Sequence, residues 1–394
     1  MGARKPMAAI CGMGTTKLSR KPSKKNVREL AVEACLLAIE DSGLKKEDID
    51  GLMLNRSPLE PSESLPLHVQ RDIGLKDLTL MTSIEGEGSS ALQMIQYASL
   101  AIQAGMASNV ICVFADCPIG QKASGGSTFG VSMEFTGIPG WENEHGFFGA
   151  TGTFALAAAR HMHQYGTTHD HLYAFARSNR EWAQLNPDAF LRDELTRDAY
   201  FSSRWIVEPY RLFDCAFPVN GAVAVIVTSA DKAHDLKQPP VYIHSAGQGH
   251  GGTPNFAEFE PETQTGAVLA AKSVYEQAGV TSDDIDFCQL YDAFTFAGIL
   301  SLEDYGFCEK GEGGPFVADR NTAPGGKLPT NTGGGHLSGF YLQGITPVHE
   351  AVIQIRGDGG ERQVPKNDLG LITGFGGRME FHAAMIVSPH IKIN

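Results

Sequence analysis

No run of this chain approaches the roughly 18 uninterrupted apolar residues that a membrane-spanning helix requires. The N-terminus, MGARKPMAAICGMG, carries two basic residues but no apolar core of a signal peptide, so residence in the cytoplasm is expected. Basic charge is also short. The 32 Lys and Arg stand against 45 Asp and Glu, a formal net charge of -13 that repels nucleic acid and anionic membrane. With 45 Gly and 20 Pro among 394 residues, the chain is neither collagen-like nor low in complexity, and 42% hydrophobic residues are too many for disorder. Cysteine is sparse and odd in number: the seven, at 11, 35, 112, 117, 215, 288 and 308, sit mostly in apolar runs such as VICVFAD. They read as reduced, buried thiols. Nucleotide-binding signatures are missing, since GEGSSAL lacks the third glycine and no Walker A motif occurs. There is no HExxH. HMH at 161–163 and HDH at 169–171 flank QYGTT without a nearby cysteine. Ligands two apart on a helix point apart, so these read as solvated or hydrogen-bonded surface histidines, not a metal site.

What is present is an internal repeat. GLKKEDID at 43–50 returns as GVTSDDID at 279–286, an offset of 236. A helical run precedes each copy (LAVEACLLAIEDSG and TGAVLAAKSVYEQAG), a strand precedes each helix, and a second apolar segment follows. Strand, helix and strand at matched places predict a duplicated α/β unit with parallel crossovers. The seam falls at HDLKQPP, near 235–240, dividing the chain into halves 1–237 and 238–394. The first half carries an insertion at about 117–210 with helices over FALAAARHMHQYG and LYAFARSNREWAQ. Such insertions above a rigid sheet are where pockets are shaped.

Three places could hold chemistry. Ser89 and Ser90 lie in IEGEGSSAL, where a glycine turn enters a helix and free N–H groups meet the positive helix end. That suits an oxyanion or thioester carbonyl, and it equally suits close helix–sheet packing. The absence of GxSxG argues against a hydrolase. Tyr291 opens YDAFT directly after DFCQL, and Tyr341 lies in NTGGGHLSGFYLQG beyond a glycine-rich loop. Both fall at strand exits, where α/β proteins place chemistry. A lone tyrosine is as a rule a core or rim aromatic.

The blocks GMGTTKLSR, EDIDGLM, GSSALQMIQYASLAIQAG, SRWIVEPYRLFDCAFPVNGAVAVIVTSADKA, YDAFTFAGILSLEDYGFC, LPTNTGGGHLSGF and GFGGRM span nearly the whole chain. In them the chain resembles the thiolase superfamily, in its lipid-transfer-protein and sterol-carrier-thiolase branch. The resemblance implies an α/β thiolase fold with duplicated αβαβα layers, dimerisation through the first half and acyl-coenzyme A substrates. The thiolase catalytic pattern is missing. The position of its nucleophilic cysteine falls on Gly88, that of its Gly-His-Pro histidine on Tyr341, that of its second cysteine on Gly374, and that of the Asn-Glu or His-Asp pair completing its oxyanion site on Tyr291–Asp292. Exchange through an acyl-enzyme needs a thiolate and its base, and Cys112, Cys117 and Cys215 lie elsewhere.

Two tyrosines at these positions resemble the steroid side-chain aldolases, which lack the cysteine. They imply retro-aldol cleavage of a β-hydroxyacyl-coenzyme A ester to a ketone or aldehyde and a shorter acyl-coenzyme A. They also imply a partner of the DUF35 type, an OB-fold with a zinc ribbon that would supply any zinc. This chain itself is expected to hold no metal or tight cofactor, with coenzyme A arriving as part of the substrate. Tyr341 is the preferred base, with His336 and Ser338 in a donor network that lowers its pKa. Tyr291 stabilises the enolate or protonates it, oriented by Asp292, although the two tyrosine roles are interchangeable. Gly88 leaves room beside Ser89, Ser90, Gly374 and Gly376, and GGSTFGVSMEFTGIPGWENEHGFFGATG suits a bulky apolar acyl group. Two other readings stay open: an atypical thiolase-like acyltransferase or Claisen enzyme, and a non-catalytic subunit that binds lipid or scaffolds a partner. For the dimer, a free sheet edge is expected beside NVICVFAD and the helix at 90–104.

Overall fold

The computed structural model describes residues 5–56, 65–120, 137–147, 149–251 and 263–393. Residues 125–136 of the segment expected to face the acyl group lie outside them. Eleven strands are present among the described residues: β1 (Ala8–Thr15), β2 (Gly51–Asn55), β3 (Leu80–Ile84), β4 (Asn109–Asp116), β5 (Trp205–Val207), β6 (Tyr210–Arg211), β7 (Gly221–Thr228), β8 (Val241–His250), β9 (Phe287–Gln289), β10 (Gly370–Gly376) and β11 (Phe381–Ser388). The helices are α1 (Val27–Ser42), α2 (Pro66–Ile73), α3 (Ser90–Gln103), α4 (Gly137–Glu144), α5 (Gly149–Tyr165), α6 (His169–Gln184), α7 (Arg197–Ser202), α8 (Ala230–Ala233), α9 (Ala267–Ala278), α10 (Thr295–Asp304), α11 (Gly313–Ala318) and α12 (Ile345–Arg356).

All strands but the β5–β6 hairpin form one nine-stranded sheet ordered β3-β2-β4-β7-β1-β8-β11-β10-β9. The duplication is explicit in that order. Reading outward from the β1–β8 pair, β1-β7-β4-β2 is repeated as β8-β11-β10-β9, with the same antiparallel, antiparallel, parallel sequence of pairings. The repeated octapeptide accounts for the matched turns. α1 and α9 end at Gly43 and Gly279 with φ of 77° and 74°, a left-handed cap that glycine adopts without a Cβ penalty. Each is followed by one 3₁₀ turn, Lys46–Asp48 and Ser282–Asp284. The interior strands β7 and β10 are buried along their whole length, and β7 accordingly reads as an apolar run.

Helix α3 lies against strands of both halves and against α12. Its N-terminal turn therefore meets the carboxyl end of β10. The insertion supplies α4 to α7, of which α6 packs on α10, α11 and the turn at 335–339. Two expectations change. The sheet edge is not beside β4, which is paired by β2 and β7 on its two sides. The crossover through α2 adds β3 outside β2, so β3 is the free edge of the first half. His161 is not at the surface: it shares the buried face of α5 with Phe154, Ala157 and Ala158. Its ring bonds Thr167 Oγ1 at 2.8 Å and Glu303 Oε2 at 3.0 Å. His163 is exposed.

Candidate active site

The chain brings the two singled-out tyrosines into contact. Directly after β9, three successive backbone N–H groups are fixed by side chains: Leu290 donates to Asn331 Oδ1 (2.7 Å), Tyr291 to Thr373 Oγ1 (3.0 Å) and Asp292 to His336 Nδ1 (3.1 Å). Tyr341 follows the wide turn Gly335–Gly339 and is bridged to Pro218. Gly334 and Gly335 have φ of 96° and 56°, so the loop bends where an L side chain would be strained. A Cβ on Gly335 would also strike the Asp292 carboxylate. The result is a hydrogen bond of 2.9 Å between the Tyr291 and Tyr341 hydroxyls. Tyr291 is buried and Tyr341 half-buried.

Burial pushes the Tyr291 phenol well above its ordinary value, and the neighbouring Tyr341 adds to the shift. Burial also raises Tyr341. Its bond to Tyr291 works against the shift, and the carboxylates of Asp116 and Glu87 reinforce it. Both phenols are thus held neutral, which corrects the expectation of a Tyr341 activated by His336 and Ser338. Those two side chains face other groups. Ser338 Oγ accepts from Arg180 Nε at 2.9 Å. His336 Nε2–H donates to the Gln343 carbonyl at 2.8 Å, while its ring lies 4.7 Å from the Tyr291 ring and 5.0 Å from that of Tyr341, edge-on to both. Asp292 does not orient the Tyr291 hydroxyl. It is fully buried, with Oδ1 accepting from the His336 N–H (2.9 Å) and Oδ2 from Asn179 Nδ2 (2.7 Å). Its grip on the tyrosines passes through His336, which both rings touch.

Gly88 lies at the floor of the site, but not as open space. A Cβ there would overlap the Phe375 carbonyl oxygen and stand 2.5 Å from Cε2 and Cζ of Tyr291. The tyrosine ring occupies the space that glycine vacates. Gly374 and Gly376 serve the same closeness from the other side: added Cβ atoms would lie 2.9 Å from Ser89 Cα and 2.9 Å from Gly88 N. Ser89 and Ser90 close the turn. Ser89 Oγ donates to the Gly86 carbonyl (2.8 Å) and accepts from Gln93 (2.7 Å), while Ser90 Oγ accepts from the Gly86 N–H (2.9 Å). Neither serine is poised as a nucleophile. Six of the seven thiols are inert as well, since burial raises Cys11, Cys288 and Cys308 to about 12 and Cys35, Cys112 and Cys215 further still. Among the described residues no group of three or more His, Cys, Asp or Glu could hold a metal ion.

Asn179 and Arg180 escaped the sequence reading. A signal was there: on α6 they share the buried face with Leu172, Phe175, Ala176 and Ala183. An amide and a guanidinium on an apolar helical stripe need buried partners, and these find Asp292 and Ser338.

A duplicated α/β core with one mixed sheet, flanking helices and a site where helix α3 of one half meets the strand ends of the other defines the thiolase-fold class. Residues 249–389 match the family described as thiolase C-terminal domain-like. The 17-hydroxy-3-oxo-4-pregnene-20-carboxyl-CoA lyase of Mycobacterium tuberculosis is 34% identical over 365 residues, covering 89% of this chain and 92% of that protein. A steroid side-chain-cleaving aldolase of Thermomonospora curvata is 34% identical over 358 residues, 89% of this chain and 90% of its own. The solved Ltp2–ChsH2(DUF35) aldolase superposes with a TM-score of 0.87 at 32% identity, covering 98% of each chain. The chain belongs to the thiolase superfamily, in the branch of the steroid side-chain-cleaving aldolases. It is accordingly an enzyme of the coenzyme-A-ester lyase class.

Proposed function

We propose that this chain breaks the Cα–Cβ bond of a β-hydroxyacyl-coenzyme A ester with a bulky acyl group of the steroid side-chain kind, yielding a ketone or aldehyde and a shorter acyl-coenzyme A. The hydrogen bond of 2.9 Å between the buried Tyr291 phenol and the half-buried Tyr341 phenol, both neutral, carries this reading. In the cleavage the β-hydroxyl loses its proton and its oxygen becomes a carbonyl. The electron pair of the broken bond passes into a thioester enolate, and Cα then takes up a proton. The net change is one proton moved from oxygen to carbon. Tyr341, the less buried phenol, receives the hydroxyl proton and passes its own to Tyr291, which protonates Cα. The pair ends as it began, so no standing phenolate is required and the raised pKa values fit the task. The positive end of α3 beneath Gly88 favours the developing enolate.

The reading includes assembly. The Ltp2–ChsH2(DUF35) aldolase supports a DUF35-type partner for this chain. A homodimer through the first half is supported by the free edge of β3, flanked by exposed Met81, Tyr97 and Leu100. Among the described residues no helix is long and apolar enough to cross a membrane. Among the described residues no disulfide joins the cysteines, which supports a reducing cytoplasm.

Tyr341→Phe and Tyr291→Phe each remove one oxygen and keep the ring. Either should lower turnover about 10²–10⁴-fold in an assay of ketone release. In deuterium oxide the shorter acyl-coenzyme A should gain one deuterium at Cα. Parent-like turnover in both variants would overturn the proposal, and a covalent acyl-enzyme seen by mass spectrometry would favour the acyltransferase reading.

A further inference from the structure

Glu142, in α4 of the insertion, is only 1% exposed. Its Oε2 pairs with Nη1 of Arg378, whose guanidinium also lies over the Phe147 ring, 5.9 Å from its centroid. Oε1 of the same carboxylate is buried and has no hydrogen-bond partner among the described residues. A buried acceptor without a donor loses its hydration uncompensated, and each such group in a native protein calls for an explanation, a bound donor among them. The position points to the donor. Arg378 lies two residues beyond Gly376 of β10, which packs against Gly88, so an arginine side chain links the carboxylate to the strand end at the floor of the phenol site.

We propose that Glu142 is a substrate-binding residue whose Oε1 accepts a hydrogen bond from an O–H or N–H donor of the bound coenzyme A ester. This rests on the reading that the phenol site takes such an ester. The donor supplies what the described protein residues do not, and Arg378 holds the other oxygen so that only one acceptor faces the ligand. A site built around a buried polar atom rejects ligands that leave it unpaired more strongly than an apolar wall rejects an extra group.

The test is binding, so it stands apart from the cleavage chemistry. Calorimetric titrations use coenzyme A, a bulky acyl-coenzyme A with no donor on its acyl group, and the hydroxylated counterpart of that ester. In Glu142→Gln the amide oxygen stays with Arg378 and the NH₂ faces the ligand's donor. Affinity should fall about 10- to 100-fold, equivalent to about 1.4–2.8 kcal/mol for a lost buried hydrogen bond. Equal loss for all three probes places the donor on the coenzyme A moiety. Loss confined to the hydroxylated ester places it on the acyl group. Both outcomes support the proposal. Arg378→Met removes the ion pair that ties α4 to β10 and leaves the acceptor in place, so its losses should be smaller. Parent-like affinity of Glu142→Gln for every probe would overturn the assignment, as would an Arg378→Met variant that reproduces its losses throughout.

Discussion

Replacing Gly88 by alanine tests how the site is packed. The new methyl would overlap the Phe375 carbonyl oxygen and reach 2.5 Å from two ring carbons of Tyr291. The carbonyl belongs to β10, held by its ladder with β11 at Phe375 and His382, so it cannot turn away. The Gly88 turn must draw back from it, and the ring must yield as well. Ordinary carbon contacts lie at about 3.5–4.0 Å, so it retreats by about 1 Å. Unless Tyr341 follows, the 2.9 Å bond between the hydroxyls stretches beyond the 3.0 Å at which such bonds end. Overpacking of this kind costs about 1–3 kcal/mol of stability. A misplacement of about 1 Å costs on the order of 10²-fold in rate. The expected variant is folded, with an unchanged far-ultraviolet circular dichroism spectrum and a modestly lower Tm, but cleaves at least about 10²-fold more slowly. Full parental kcat in Gly88→Ala would refute the packing argument. Gly88→Cys should behave like the alanine variant and gain no thiolysis, because the base position beside it holds Tyr341.

The pH profile of kcat should be flat from roughly pH 6 to 9, because burial raises both phenols and keeps the relay in its neutral form. A limb in that range that disappears in Tyr341→Phe would show a working phenolate. Burial lifts the Asp214 carboxyl to about 6 against an ordinary 3.8. The folded state then binds the proton more tightly, so this contribution to stability is full below 3.8, falls as pH rises through 6 and stays flat above it. Urea midpoints of Asp214→Asn should lack that decline, on the order of 3 kcal/mol, and a parallel pH course in parent and variant would refute it. Light scattering should give about 85 kDa, twice the 42.3 kDa chain, with added mass when a DUF35-type protein is coexpressed. An active monomer would end the dimer proposal.

The architecture was legible because the repeat of GLKKEDID as GVTSDDID marks the same cap and turn in both halves, and those features are local. The tyrosines became candidates through resemblance, since an isolated tyrosine carries no signal of its own. What could not be read is long-range. Gly88 and Tyr291 meet across the two halves, so nothing near either residue tells that the glycine is filled by the ring. The same holds for Asn179 on Asp292, 113 positions apart, and for Glu142 on Arg378, 236 apart. The edge strand was misplaced because apolar content marks burial but not pairing order. β4 is apolar from Val110 to Ala115 and sits inside the sheet, while half-exposed β3 forms its border.

The β1–β8 pair at the middle of the sheet bears on how the chain is made. Ala8, Ala9 and Ile10 pair with Ile243, Tyr242 and Val241, and the other flank of β1 waits for β7 at Gly221–Thr228. Both neighbours of the first strand are therefore translated more than 200 residues after it. At about 5–20 residues per second, an emerging chain carries β1 unpaired on both edges for on the order of 10–50 s. During that interval the nascent polypeptide exposes the strand around which its sheet will later close. Slower elongation lengthens the exposure, and a fragment ending before residue 221 leaves β1 with neither neighbour.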